Sequence, residues 1–118
     1  MTALCYKPAW KLADLIARKE ISPLELMRDT LERIDQVNPD LNAFVALRPE
    51  AALAEAAAMT EAITKGENPG PLAGLPLGVK DLEDTAGLVT SYGSLPFKDN
   101  VAREDSIQVA RLKAAGAI

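Results

Sequence analysis

The chain has 118 residues, 48% of them apolar and only 4% aromatic, with a formal net charge of −4 and no histidine. An acidic chain without a dense run of lysine and arginine carries no electrostatic footprint for a phosphate backbone, which argues against direct nucleic-acid binding. Without histidine, neither Ser/His/Asp nor Cys/His catalysis can be assembled from these residues, nor a zinc site with histidine ligands, so acid–base chemistry falls to Lys, Asp, Glu and Tyr.

The apolar runs fall far short of the roughly 20 residues needed to cross a bilayer, and the N-terminus has no basic stretch leading into an apolar one. A cytoplasmic protein is therefore expected. The single cysteine, Cys5, permits no internal disulfide and fits a reducing compartment. With so few aromatics, any core is built from Leu, Ile, Val and Ala.

Taken in order, the first helix is predicted to begin near Pro8, with Leu12, Leu15 and Ile16 as its apolar set, and to end in a turn over residues 19–21. Ser22-Pro23-Leu24-Glu25 then supplies an N-cap serine, a proline at the first helical position and the reciprocal glutamate of a capping box. Leu24, Met27, Leu31, Ile34 and Val37 follow at spacings of three and four, a stripe expected to face the core until Asn38-Pro39-Asp40 stops the helix. Leu41 to Leu47 is short and apolar and is expected to be a strand or an extended connection. Pro49 opens an alanine-rich helix through Leu53, Met59 and Ile63, with Gly66 as its stop.

At Gly66 the composition changes, because six of the seven glycines and four of the eight prolines lie between Gly66 and Pro96. Such density marks a backbone that turns tightly and approaches other groups closely. Within it Leu75, Leu77 and Val79 alternate as in a half-buried strand that ends on Lys80. The last helix is expected to start at Asp105 as its cap, with Gln108 at the third position, and to end at Gly116. The Ala117-Ile118 that follows resembles the start of another strand, and on that ground the chain is expected to continue in its natural setting.

Lys80 is the candidate for chemistry. A lysine held dry on a strand has a lowered pKa, and the neutral amine can activate a serine hydroxyl as histidine does elsewhere. The competing account is an exposed or ion-paired lysine, since Asp81, Glu83 and Asp84 lie within four residues; on physical grounds alone this is the commoner outcome. Those three acids lack the full ligand spacing and turn glycine of a calcium loop. Ser91 and Ser94, in a loop of alternating hydroxyls and glycines, are candidate local nucleophiles for Lys80, against the plainer role of bonding nearby backbone.

The run Gly70-Pro71-Leu72-Ala73-Gly74-Leu75-Pro76-Leu77-Gly78-Val79-Lys80-Asp81 carries a resemblance, as do Asp84, Ala86-Gly87, Thr90-Ser91, Gly93-Ser94, Asp105-Ser106 and the stretch Arg111 to Ile118. Together with Ile21-Ser22-Pro23, Arg33-Ile34 and Leu41-Asn42-Ala43-Phe44-Val45, these resemble the N-terminal part of the amidase signature family over nearly the whole chain.

The resemblance implies an α/β fold in which helices precede the strands of a mixed central sheet. Residues 1–118 would form the N-terminal part of one amidase domain, helical over 1–66, with the lysine-bearing strand, Gly/Pro-rich loops and a helix over 67–118. It also implies amide hydrolysis through a Ser–cis-Ser–Lys triad, with Lys80 as the catalytic base acting through a bridging serine on a nucleophilic serine that becomes acylated. The glycine/serine-rich run that supplies both serines in that family has no counterpart among Ser22, Ser91, Ser94 and Ser106, so the chain alone is expected to be inactive.

No metal or organic cofactor is implied. The implied partners are a small-molecule amide substrate, the remainder of the amidase chain and, as an option, a second copy in a homodimer. A noncatalytic binding or scaffold domain of the same architecture is the alternative.

Overall fold

The computed structural model describes residues 4–118. A short 3-10 turn at Leu4–Tyr6 leads into α1 (Ala9–Ala17), α2 (Pro23–Leu41) and α3 (Pro49–Thr64), and after a long irregular stretch α4 (Ile107–Ala114) closes the chain. The capping box at Ser22 forms as the sequence demands: the Glu25 amide donates to the serine hydroxyl at 3.1 Å, and the Glu25 carboxylate accepts from the Ser22 amide at 2.8 Å.

The second helix runs further than expected, through Pro39 to Leu41. Proline removes one amide donor, but this one sits in the last turn, where the helix still closes through Asn42 N–H donating to the Asn38 carbonyl at 2.7 Å. Asn42, at φ 49°, ends it in the left-handed region. Asn38 does stop the regular structure in another way, since its side-chain amide clasps both the N–H and the carbonyl of Phe44. Residues 42–48 are thereby held as an extended connection with no strand pairing.

Two small cores result. Leu12, Ile16, Leu26 and Leu75 form one, and Met27, Ala56 and Ile118 form the other. Of the expected stripe on α2, Met27 is buried and Leu24 and Leu31 pack against the second core. Leu26, off that stripe, is buried in the first with Leu12 and Ile16 of α1, while Met27 meets Ala56 of α3 in the second, so α2 needs two apolar faces.

Where a half-buried strand was expected over residues 75–80, no strand forms among the described residues. The segment is extended all the same, and its pairing is visible in single bonds. Ile118 N–H donates to the Leu75 carbonyl at 2.9 Å and the Leu77 N–H donates to the Ile118 carbonyl at 2.7 Å, the slanted pattern of parallel strands. One such pair is too short to be a ladder. An isolated antiparallel bridge joins Val89 to Val101.

Close approach accounts for two of the glycines. Gly116, at φ +101°, lies so near Ala73 that a Cβ would sit 2.8 Å from its Cα, and a Cβ on Gly70 would collide with the Ala115 carbonyl oxygen. The end of α4 and the 69–74 loop therefore lie backbone against backbone.

The cap of α4 also differs from expectation. Ser106, not Asp105, accepts from the Val109 amide. Asp105 is otherwise committed: its carboxylate accepts from Lys113 Nζ at 2.9 Å through both oxygens, and from the Ala86 amide at 2.8 Å.

Candidate active site

Lys80 stands at the end of the extended segment that Ile118 fixes, five residues beyond Leu75. Its side chain is exposed, and among the described residues it makes no ion pair. The dry surroundings expected of a strand-borne lysine are therefore not supplied by residues 4–118 alone. The physical reason is the missing ladder: with one paired residue, the segment has no sheet neighbours to cover its end.

Lys80 does border a cleft of about 580 Å³. Leu31 and Ile34 of α2, Phe44 and Leu47 of the connection, and Leu77 and Ile118 give it apolar walls, with Asp81 and Thr90 among its polar groups.

Directly after the lysine the chain turns, with Glu83 N–H donating to the Lys80 carbonyl at 2.9 Å. This turn is pinned at two points. The Asp81 carboxylate accepts from the Ser91 amide at 2.7 Å through one oxygen and from the Ser91 hydroxyl through the other. Asp84 accepts from the Tyr92 hydroxyl. The Ser91 hydroxyl beside Asp81, then the Ser91 and Gly93 amides, hold the Asp81 carboxyl below its ordinary pKa. Asp84 in turn pushes the Tyr92 phenol up, because a neighbouring carboxylate opposes loss of the phenolic proton.

Of the candidate local nucleophiles, then, Ser91 spends its proton on Asp81. Ser94 is tied through its backbone, donating to the Ser91 carbonyl at 2.9 Å. Neither is hydrogen-bonded to Lys80 among the described residues. The acidic trio is likewise not a cation site, since no group of three metal-ligating side chains converges among the described residues. Asp81 and Asp84 face Ser91 and Tyr92 instead.

The pinning contacts span eight and ten residues and were not visible in the residue pattern. The one local signal was Tyr92-Gly93 between two serines. A Tyr-Gly pair in a hydroxyl-rich loop is compatible with a turn that needs two left-handed residues, and Tyr92 at φ 54° and Gly93 at φ 65° form one.

Residues 25–118 match the Amidase family, and the chain belongs to it.

Among curated relatives, it is 41% identical over 108 residues to a glutamyl-tRNA(Gln) amidotransferase subunit of Methylobacillus flagellatus, covering 92% of this chain and 22% of that protein. It is 36% identical over 110 residues to an acylamidase of Rhodococcus erythropolis, covering 93% of this chain and 23% of the relative. Among solved structures, it superimposes on a bacterial aryl acylamidase of the amidase signature family with a TM-score of 0.87 at 31% identity, covering 96% of this chain and 24% of that one. The chain thus spans about a quarter of the length of the relatives it matches. Among the described residues, no helix is long and apolar enough to cross a membrane.

Proposed function

We propose that this chain is the N-terminal part of a single amidase domain and that Lys80 is the general base of its reaction, the hydrolysis of a small-molecule carboxamide through an acyl-enzyme. In this reading the helices are followed by strands of a mixed central sheet, of which residues 75–79 and 117–118 begin two. The observation that carries the proposal is the placement of Lys80, on a segment fixed by the Leu75–Ile118 and Leu77–Ile118 bonds and bordering an apolar cleft. The rest of the domain packs over that cleft and removes water from the amine. Desolvation then lowers the lysine pKa, and the neutral amine takes a proton.

The chemistry follows from the amine's charge. The uncharged Lys80 Nζ accepts the proton of a bridging serine hydroxyl, which takes the proton of a second serine as that oxygen attacks the amide carbon. The proton held on Lys80 returns through the bridging serine to the departing nitrogen, and water then cleaves the acyl–serine ester to release the acid and restore the serine hydroxyl. Both serines lie outside residues 1–118 in this proposal. Three of the four serines in the chain are engaged otherwise, Ser22 and Ser106 in helix caps and Ser91 with Asp81, and Ser94 makes no hydrogen bond to Lys80 among the described residues, so the 118-residue chain alone is expected to be inactive.

The test is Lys80→Ala in the full-length protein that carries this segment, assayed for amine or ammonia release from p-nitroacetanilide and hexanamide. Loss of turnover with an unchanged far-UV circular dichroism spectrum is expected. Turnover retained near the wild-type level overturns the assignment.

A further inference from the structure

Tyr92 adopts φ 54°, a conformation that a bulky residue holds only where its surroundings over-determine it. Three contacts do so here. Its hydroxyl donates to Asp84, its ring meets Phe97 edge-on at 5.4 Å, and the turn it occupies closes through Ser94 N–H donating to the Ser91 carbonyl at 2.9 Å. The strained turn has a clear beneficiary. It presents the amide and hydroxyl of Ser91 together to the two oxygens of Asp81, the residue next to Lys80. The Gly93 amide also reaches the Ser91 hydroxyl oxygen, at 3.3 Å, which orients that hydroxyl's proton toward the carboxylate.

The beneficiary is itself a short loop with no sheet to hold it. Among the described residues, the one backbone bond that stays within the 78–84 stretch is Glu83 N–H to the Lys80 carbonyl, and Asp84 ties on through its own carbonyl, which accepts from Ser106 N–H at 2.9 Å. The loop after Lys80 is therefore set by side chains, through Asp81 to Ser91 and Asp84 to Tyr92.

We infer that Ser91 is a positioning residue for the reaction proposed above: by pinning Asp81 through two hydrogen bonds, it fixes the backbone direction at Lys80 and so the point to which the amine is delivered. This role rests on Lys80 being the base. Ser91 itself touches neither substrate nor the reacting atoms. It acts through Asp81, and Tyr92 supports it by holding the turn.

The role separates from a merely structural one because misplacing a proton acceptor by about 1 Å slows the chemical step by up to about 100-fold while binding of the amide is untouched. In the full-length protein, Ser91→Ala is expected to lower kcat about 10- to 100-fold with KM within about twofold, and Ser91→Thr, which keeps the hydroxyl, is expected to restore kcat to within about threefold.

Hydrogen exchange gives a readout without turnover: the Glu83 amide, bonded to the Lys80 carbonyl, should exchange faster in Ser91→Ala than in wild type. Wild-type turnover together with its loss in Lys80→Ala establishes the amidase reading separately. With both in hand, an unchanged kcat in Ser91→Ala overturns the positioning role. So does a loss that appears equally in KM or that Ser91→Thr fails to restore. A wild-type protein that hydrolyses no carboxamide overturns the amidase reading and this role with it, while unchanged Glu83 exchange in Ser91→Ala overturns the clasp alone.

Discussion

Leu75 and Ile118 are joined by a backbone hydrogen bond of 2.9 Å across 43 residues of sequence, and with the Leu77–Ile118 bond it fixes the segment that leads to Lys80. The bond exists because Gly116, two residues past the end of α4, lies with its backbone against Ala73, so that the chain leaves the helix already alongside residues 74–77.

Gly116→Ala should therefore cost more than an ordinary glycine replacement. The left-handed conformation alone costs roughly 1–2 kcal/mol for a residue with a Cβ. The clash with Ala73 backbone adds roughly 1–3 kcal/mol, the range for overpacking. Gly87→Ala is the matched control, since Gly87 has φ +81° but nothing within 4 Å of a built Cβ. Urea midpoints of the two variants in the full-length protein should differ in that order, and equal midpoints would mean the backbone contact is relieved at no cost.

The contrast between these glycines bears on what the sequence can disclose. The density of glycine from residue 66 onward correctly announced tight turns and close approach, and the Ser22 capping box announced the start of α2, because both are local rules in which the residue carries its own reason. The strand at Leu75–Val79 was a different matter. Its alternation is real, but a ladder needs a neighbour along its length, and here Ile118 supplies one residue of it. Lys80 is exposed for the same reason, as an isolated lysine commonly is. Asp105 and Ser106 could each cap α4, and the choice was made by Lys113 and the Ala86 amide, partners eight and nineteen residues away that no local pattern names. The Asp81–Ser91 clasp is of this kind too.

Asp105 gives a pH prediction. Lys113, then the Ala86 amide, hold its carboxyl below the ordinary value, and the pair is partly buried, with side-chain exposures of 31% for Lys113 and 19% for Asp105. A depressed folded pKa means that the unfolded chain binds the proton first as pH falls. The stability is therefore fully present above the unfolded value, about 3.9, and is lost as pH drops through it toward the folded value. Lys113→Met should destabilise by roughly 1.5–3 kcal/mol at pH 7, the range for hydrogen bonds to charged groups. The deficit should shrink below about pH 4, where Asp105 begins to protonate in the unfolded chain. Urea midpoints of wild type and variant across pH 3 to 7 check this; a constant gap would show that Lys113 acts through its alkyl stem.

Cys5 should be a slow thiol. Partial burial, then Asp29, push its pKa up, and only Arg33 works in the other direction among the side chains around it. The same carboxylate accepts from the Cys5 amide at 2.8 Å, and Arg33 lies over the Tyr6 ring at 5.6 Å, so the 3-10 turn is docked on α2 and the thiol is held near the charge. Thiolate is the reactive form, so alkylation by iodoacetamide at pH 8 should be slower than for a free cysteine peptide, and Asp29→Asn should speed it. Equal rates in the two proteins would mean that the turn is undocked in solution.

The final prediction concerns residues 1–118 taken by themselves. Their two cores hold four and three buried residues, while Leu95, Val45, Trp10 and Ile107 are each at least 70% exposed. The radius of gyration, 14.8 Å, exceeds the roughly 13.5 Å of a well-packed domain of this length. Apolar side chains left in water contribute none of the roughly 25 cal/mol per Å² that burial supplies, and exposed apolar surface on this scale promotes association. The isolated chain is therefore expected to bind 1-anilinonaphthalene-8-sulfonate, to melt over a broad range and to elute larger than a monomer. The full-length protein should do none of these if its remaining residues cover the cleft beside Lys80. A sharp, cooperative melt of a monomeric 118-residue chain would show that α1, α2, α3 and α4 suffice for a stable fold, and it would remove the argument that the exposed lysine awaits a covering domain.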